Sequence, residues 1–205
     1  MGRRLNIAPT RSELLAVRRR VAFLEQGHQL LERKKELLTR LVYERLAQYR
    51  ELRGEAQTLL AQAYRWLSVA TLRMSGQVIH QASIGLAPAL DVEILPRRSL
   101  GVEYPSVSAR LQPLQPVGLL GTDPSLDQTR IDLARAAVVL ARMGEAEMAL
   151  WRLLEEQRKT QKRVNALRYN IIPRYRETLR YIEGVLEEEE RNTLFQLKRL
   201  QHGMG

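Results

Sequence analysis

Hydrophobic residues recur along the first third of the chain with a seven-residue period. From Leu14 the seam runs through Val17, Val21, Leu24, His28, Leu31, Lys35, Leu38, Val42, Arg45, Tyr49, Leu52, Ala56, Leu59, Ala63, Trp66 and Ala70. Only His28, Lys35 and Arg45 interrupt the apolar and aromatic run. A repeat sustained this long predicts a coiled-coil helix, not a globular one. Pro9-Thr10-Arg11-Ser12 marks its start, where Thr10 or Ser12 can cap the free N–H groups. Extended to residue 83, the helix would measure roughly 108 Å at 1.5 Å per residue. The strict heptad favours a left-handed supercoil.

Thr122-Asp123-Pro124 opens a second helix, a capping residue followed by proline at the first helical position. Run to Gln201, it would measure roughly 115 Å. Two such lengths suit an antiparallel pair. The second seam is less regular. Val164, Leu167, Ile171, Tyr175, Thr178, Ile182 and Leu186 recur nearer every ~3.67 residues. Pro173 lies inside this stretch and predicts a bend.

Six of the eight prolines fall between Pro88 and Pro124, which excludes a continuous helix there. Leu90–Leu95 and Ser99–Tyr104 each alternate apolar and polar residues, with Pro96-Arg97-Arg98 between them. This reads as a short β-hairpin at the turn of the helical pair. The expected organisation is an N-terminal arm and long helix (1–83), an insert with the hairpin (84–123) and a C-terminal long helix (124–205). The fold class is all-α, a long antiparallel two-helix coiled coil with a hairpin insert.

Composition sharpens this picture. Only 5% of the 205 residues are aromatic, thin for a compact core. There is no cysteine, so no disulfide framework or thiol chemistry. No apolar run reaches eighteen residues, and no apolar signal core follows the basic start Met1–Leu5. The net charge of +10 suggests an acidic partner, nucleic acid or an anionic membrane surface. Acidic and basic residues alternate along the helices, however, as on a solvated helical surface. The charge is concentrated at the chain ends. Residues 1–20 carry Arg3, Arg4, Arg11, Arg18, Arg19 and Arg20 against Glu13 alone, and residues 191–205 carry Arg191, Lys198 and Arg199 with no acid.

Catalytic chemistry is not indicated. Neither a Gly-x-x-x-x-Gly-Lys-Ser/Thr loop nor a Gly-x-Gly-x-x-Gly fingerprint occurs. His28, His80 and His202 are not spaced as ligand pairs. The run Glu187–Glu190 reads as a solvated face or partner contact, because adjacent carboxylates on a helix point apart. No cofactor, metal or catalytic residue is expected.

Two segments carry a family resemblance. One is Pro9-Thr10-Arg11-Ser12, Leu14, Gly27-His28-Gln29-Leu30-Leu31 and Lys34-Lys35. The other is Lys162-Arg163-Val164-Asn165-Ala166-Leu167, Tyr169, Ile171-Ile172-Pro173-Arg174, continuing through Thr178, Tyr181-Ile182, Glu190-Arg191, Phe195 and Leu197-Lys198. Together they resemble the D subunits of V-type and A-type ATPases. Glu32, Glu36 and Arg168 depart from residues common in that family. The resemblance implies a non-catalytic central rotor shaft, coupling ATP synthesis or hydrolysis to ion movement, with the proton as the expected ion. It implies catalytic A and regulatory B subunits as a surrounding ring. As stalk partners it implies the F subunit and a funnel-shaped subunit (C in A-type, d in V-type). It places the chain in the cytoplasm, peripheral to the membrane, with no nucleic acid and no membrane insertion. Arg3, Arg4, Arg11, Arg191, Lys198 and Arg199 are the expected ring contacts. The competing readings are a basic coiled coil that binds nucleic acid, a peripheral membrane protein and a structural spacer.

Overall fold

A computed structural model describes residues 4–117 and 121–203. The elements are helices α1 (Arg11–Arg73) and α2 (Gly76–Ile84), strands β1 (Leu90–Ser99) and β2 (Val102–Leu111), helix α3 (Pro124–Ala166), a π-helical turn (Leu167–Ile171) and helix α4 (Ile172–Gly203). The chain divides into two compact units. One is built from its two ends, up to Leu37 and from Gln157 onward; the other is Leu38–Glu156.

Helix α1 follows from the heptad. Thr10 starts it, its hydroxyl accepting the Glu13 N–H at 3.2 Å. Every seam position from Leu14 to Ala70 is buried or half-buried except Trp66, which is 42% exposed. Sequence periodicity extended this helix to residue 83, but α1 ends ten residues earlier. Met74 turns inward and is buried, and its Sδ accepts the Asp123 N–H at 3.2 Å. Ser75 is extended (φ −56°, ψ 153°), so the helix cannot continue through it. The chain resumes as α2, which buries no residue.

In the unit Leu38–Glu156, α1 runs antiparallel to α3. Asp123 caps α3 by accepting the Ser125 N–H at 2.8 Å, and Pro124 occupies the first helical position. Arg73 reaches the same carboxylate at 3.0 Å. The Ser125 hydroxyl, its backbone N–H and the Arg73 guanidinium hold the Asp123 carboxyl down to about 2, from an ordinary 3.8. The hydroxyl approaches without the geometry of a full hydrogen bond, so the backbone N–H is the contact that caps the helix. Small residues dominate much of this interface: Ala56, Ala63 and Ala70 on α1, Ala136, Ala146 and Ala149 on α3, all buried.

The hairpin is longer than the two six-residue segments expected. Its strands pair antiparallel from Leu90↔Leu111 to Ser99↔Val102. The loop is Leu100-Gly101, both at positive φ (49° and 78°), as a two-residue hairpin turn demands. Pro96 lies opposite Pro105. Counting back from the turn, that pair falls where backbone N–H groups point outward, so neither proline costs a ladder bond. The outward N–H of Val107 is satisfied instead by Glu145 of α3 at 2.9 Å. Val102 packs into a core with Leu38, Val42 and Leu153, which fixes the hairpin against the sides of α1 and α3.

Candidate functional site: the α1–α4 end

The unit built from the chain ends pairs the start of α1 with α4, and three ion pairs fix the register. Arg11 meets Glu190 at 2.7 Å, Arg18 meets Glu183 at 2.7 Å, and Glu25 takes two guanidinium contacts from Arg176 at 3.0 and 2.5 Å. Each step of seven forward on α1 is a step of seven back on α4. The pairs are exposed, so each contributes at most about 1 kcal/mol; they report register more than they provide strength. Beneath them Val17, Val21 and Ile182 form a core with Leu14, Tyr175, Leu179 and Leu186. The acidic run therefore has an internal role at Glu190, beyond the solvated or partner-facing one expected.

The same register sets Gly27-His28 level with Pro173. The two segments that carry the family resemblance thus lie side by side. His28 is nearly enclosed: Nδ1 lies 3.6 Å from Glu32 Oε2, and Nε2 is buried without a hydrogen-bond partner among the described residues. The departure at Glu32 supplies this histidine with a neighbour. A Cβ added at Gly27 would meet nothing within 4 Å, so packing does not require the glycine. Leu31 is half-buried. Val164 and Ile172 are buried, whereas Asn165 is exposed and accepts a bond from Gln161 at 2.7 Å. Ala166 is also exposed, and Leu167, Pro173 and Arg174 are half-buried.

The seam on this side is a heptad with one interruption. Buried or half-buried positions on α3 keep the seven-residue step through Ala146, Leu150, Leu153, Gln157, Thr160 and Val164. On α4 the rhythm resumes at Ile172, Tyr175, Leu179, Ile182 and Leu186. Val164 and Ile172 are eight residues apart, one more than a heptad. The π-helical turn Leu167–Ile171 absorbs the surplus, with Ile172 N–H donating to the Leu167 carbonyl five residues back. Pro173 follows directly, where it has no N–H to donate. The sequence points to a bend at Pro173; the irregularity found is a wider turn just before it, at Leu167–Ile171. The apparent ~3.67-residue spacing is a heptad with one insertion.

The N-terminal arm was not legible from periodicity. Thr178, fully buried, accepts the Leu5 N–H at 3.0 Å and donates to the Arg174 carbonyl at 2.8 Å. Ile7 joins the core, and the Arg4 guanidinium sits 3.8 Å from the Tyr181 ring centroid. The arm therefore doubles back along α4. Of the six expected contact residues, Arg3 lies outside the described residues, Arg4 is stacked on Tyr181 and Arg11 is paired with Glu190. Arg191, Lys198 and Arg199 are exposed on α4.

Because Arg11, the first residue of α1, is level with Glu190, the last turns of α4 have no helix beside them in this unit. They expose Leu194 (60%), Phe195 (67%) and Leu197 (52%) among the basic residues. An open groove of about 490 Å³, lined by Arg11, Leu186, Glu189, Glu190, Thr193 and Leu194, begins there. Among the described residues no group of side chains could hold a metal ion, and no helix is long and apolar enough to cross a membrane.

Comparison with known proteins agrees with this anatomy. The family model for the D subunit of ATP synthase matches residues 13–202. The chain is 34% identical over 198 residues to the D subunit of the V-type ATP synthase of Thermotoga neapolitana, covering 96% of this chain and 98% of that one. It is 33% identical over 205 residues to the D subunit of the A-type ATP synthase of Thermococcus sibiricus, and 31% over 201 residues to that of Pyrococcus furiosus. Those alignments cover 98% and 96% of this chain, and 96% and 94% of the relatives. From the antiparallel helices, the hairpin between them and matches that run nearly end to end, the chain belongs to the family of D subunits of V- and A-type ATP synthases, a non-catalytic component of the central stalk of a rotary ATPase.

Proposed function

We propose that the chain is the turning shaft that couples ATP synthesis or hydrolysis in a ring of A and B subunits to ion translocation, with the proton as the ion. The observation that carries this reading is the α4 end. A lone helix bearing Leu194, Phe195 and Leu197 beside Arg191, Lys198 and Arg199 suits enclosure by a partner, because isolated in water it leaves large apolar side chains exposed. Arg3 and Arg4 are proposed to add positive charge from the N-terminal side of the sequence, next to Arg11, whose own charge is met by Glu190. The helical pair has no threefold symmetry, so each of three catalytic interfaces meets a different face. Rotation then cycles each interface through different contacts.

In the unit Leu38–Glu156, α1 exposes Tyr64 (59%), Trp66 (42%) and Leu72 (88%) toward its end, and α2 exposes Ile84 (73%). These residues suit the funnel-shaped subunit, with the F subunit alongside. The complex is peripheral, on the cytoplasmic face. The ion pairs weigh against nucleic acid despite the net charge of +10: Arg11, Arg18 and Arg176 are each tied to a glutamate, which breaks up a continuous basic stripe.

The test is reassembly of the full chain with a purified ring of A and B subunits, followed as binding rate against salt. Arg191→Glu, Lys198→Glu and Arg199→Glu together should slow binding and flatten its salt dependence, since screening beyond about 8 Å is strong at physiological ionic strength. These residues are exposed, so the helical pair should stay folded. Coincident curves for the wild type and the triple variant would overturn the placement of this end in the ring.

A further inference from the structure

Of the two hairpin strands, β2 is covered and β1 is not. Val102 and Tyr104 of β2 are buried, and the outward N–H of Val107 is taken by Glu145 of α3. Every residue of β1 from Asp91 to Arg98 is exposed. The helices therefore lie on the β2 side of the hairpin, and the β1 edge is open. Counting back from the Leu100-Gly101 turn, the backbone groups of Arg98, Pro96, Ile94 and Val92 point outward along this edge. Beside them stand Ile94 (65% exposed) and Leu95 (54%). An edge that combines free ladder groups with exposed apolar side chains is a template for another strand.

The order of charges along β1 says which strand. Glu93 and Arg97 flank Leu95 symmetrically on one face, and neither is held in an ion pair among the described residues. Turned end for end about Leu95, the strand presents its own complement: Glu93 comes opposite Arg97, and Arg97 opposite Glu93. We propose that this edge pairs antiparallel with the β1 edge of a second copy of this chain, on a two-fold axis beside Leu95. In that register Leu95 meets Leu95 of the second copy, and Val92 exchanges both ladder bonds with Arg98 of the second copy. Ile94 donates to the carbonyl of Pro96 of the second copy, so the missing proline N–H costs one bond and not the register. A slip of two residues would set Glu93 against Leu95 instead. The contact is isologous and closes at two copies, because the outer strands of the resulting four-stranded sheet are both β2, already covered by their own helices.

The test is sedimentation of the purified full chain alone, where a monomer–dimer equilibrium is expected. Arg97→Glu places two carboxylates opposite each other at both symmetric positions, and Glu93→Lys places two cations. Each should weaken the dimer by at least about tenfold. An equimolar mixture of the two variants restores opposite charges and should dimerise like the wild type. Both residues are exposed, so each variant should unfold at the wild-type temperature. The chain has no cysteine, so an introduced one reports self-contact. Leu95→Cys should cross-link to a dimer under mild oxidation, since facing residues of such a pair lie about 4.5 Å apart between Cα atoms. Glu93→Cys, which faces Arg97 of the second copy, should not. Three results would each overturn the proposal: a monomer at every soluble concentration, a dimer that survives both charge reversals and so forms through another surface such as the apolar end of α4, or equal cross-linking at positions 93 and 95. The experiment needs no ring subunit, so its failure leaves the shaft reading intact.

Discussion

Deleting Asn170 tests whether the π-helical turn is a one-residue insertion in an otherwise continuous heptad. Asn170 is exposed, and its neighbour Tyr169 is 69% exposed, so the deletion removes no core contact. If the turn holds a surplus residue, the deletion makes Val164 and the residue now at the Ile172 position seven apart, and the seam runs on in phase. Pro173 would then sit inside a regular α-helix, where its ring meets a carbonyl four residues back at a cost of about 3 kcal/mol. The single deletion should therefore lose about that amount, and the deletion combined with Pro173→Ala should recover it. The alternative outcome differs greatly in size. A deletion that shifts phase would rotate α4 by about 100° and carry Tyr175, Leu179, Ile182 and Leu186 off the seam. Each large apolar side chain withdrawn from a core costs about 2–5 kcal/mol, enough together to separate the helices. Chemical unfolding of the three proteins separates the cases, with a disulfide engineered at positions 18 and 183 reporting register. Failure of the combined variant to pair, or loss of that cross-link, would refute the insertion argument. Pro173→Ala alone should leave the wide turn in place, because the extra residue remains.

Other consequences are simpler to measure. Leu100 is a non-glycine residue at φ 49°, so Leu100→Asn should stabilise the hairpin by about 1 kcal/mol, read as slower hydrogen exchange in β1 and β2. Leu153 is 1% exposed and touches α1 and the hairpin core; Leu153→Ala should cost about 2–5 kcal/mol in chemical unfolding. Asp123 titrates near 2 in the folded chain, below its ordinary 3.8. Its contribution to stability is present above about pH 4 and is lost as pH falls through 2. Asp123→Asn keeps a capping oxygen and should flatten acid unfolding across that window.

Where the chain follows a period, sequence and structure coincide. The α1 seam, the cap at Asp123-Pro124 and the alternating strands each rest on a local rule that tertiary packing has no cause to override. The arm shows the opposite case. Residues 4–10 have no period, and their placement depends on Thr178, more than 160 residues away. Only the buried hydroxyl reveals why a threonine stands among apolar neighbours. The end of α1 is similar: Met74 reads as one more helical residue until Asp123 arrives to meet it from across the turn.

The π-helical turn lies between these cases. Its signal was present in the sequence as an eight-residue gap, but averaging the spacing over Val164–Leu186 smeared one insertion into a uniform drift. A right-handed drift and a local insertion give the same mean period and opposite local geometry. The drift would spread its twist along the whole helix. The insertion leaves both flanking heptads intact and confines the irregularity to five residues. The ion pairs decide for the insertion, because Arg11–Glu190, Arg18–Glu183 and Glu25–Arg176 advance by seven on both helices with no slippage. An eleven-residue drift on α4 against a heptad on α1 would have pulled the third pair out of reach of the first two. The irregularity therefore belongs to one turn, and that turn ends just before Pro173, the residue level with His28, the enclosed polar residue on the α1 seam.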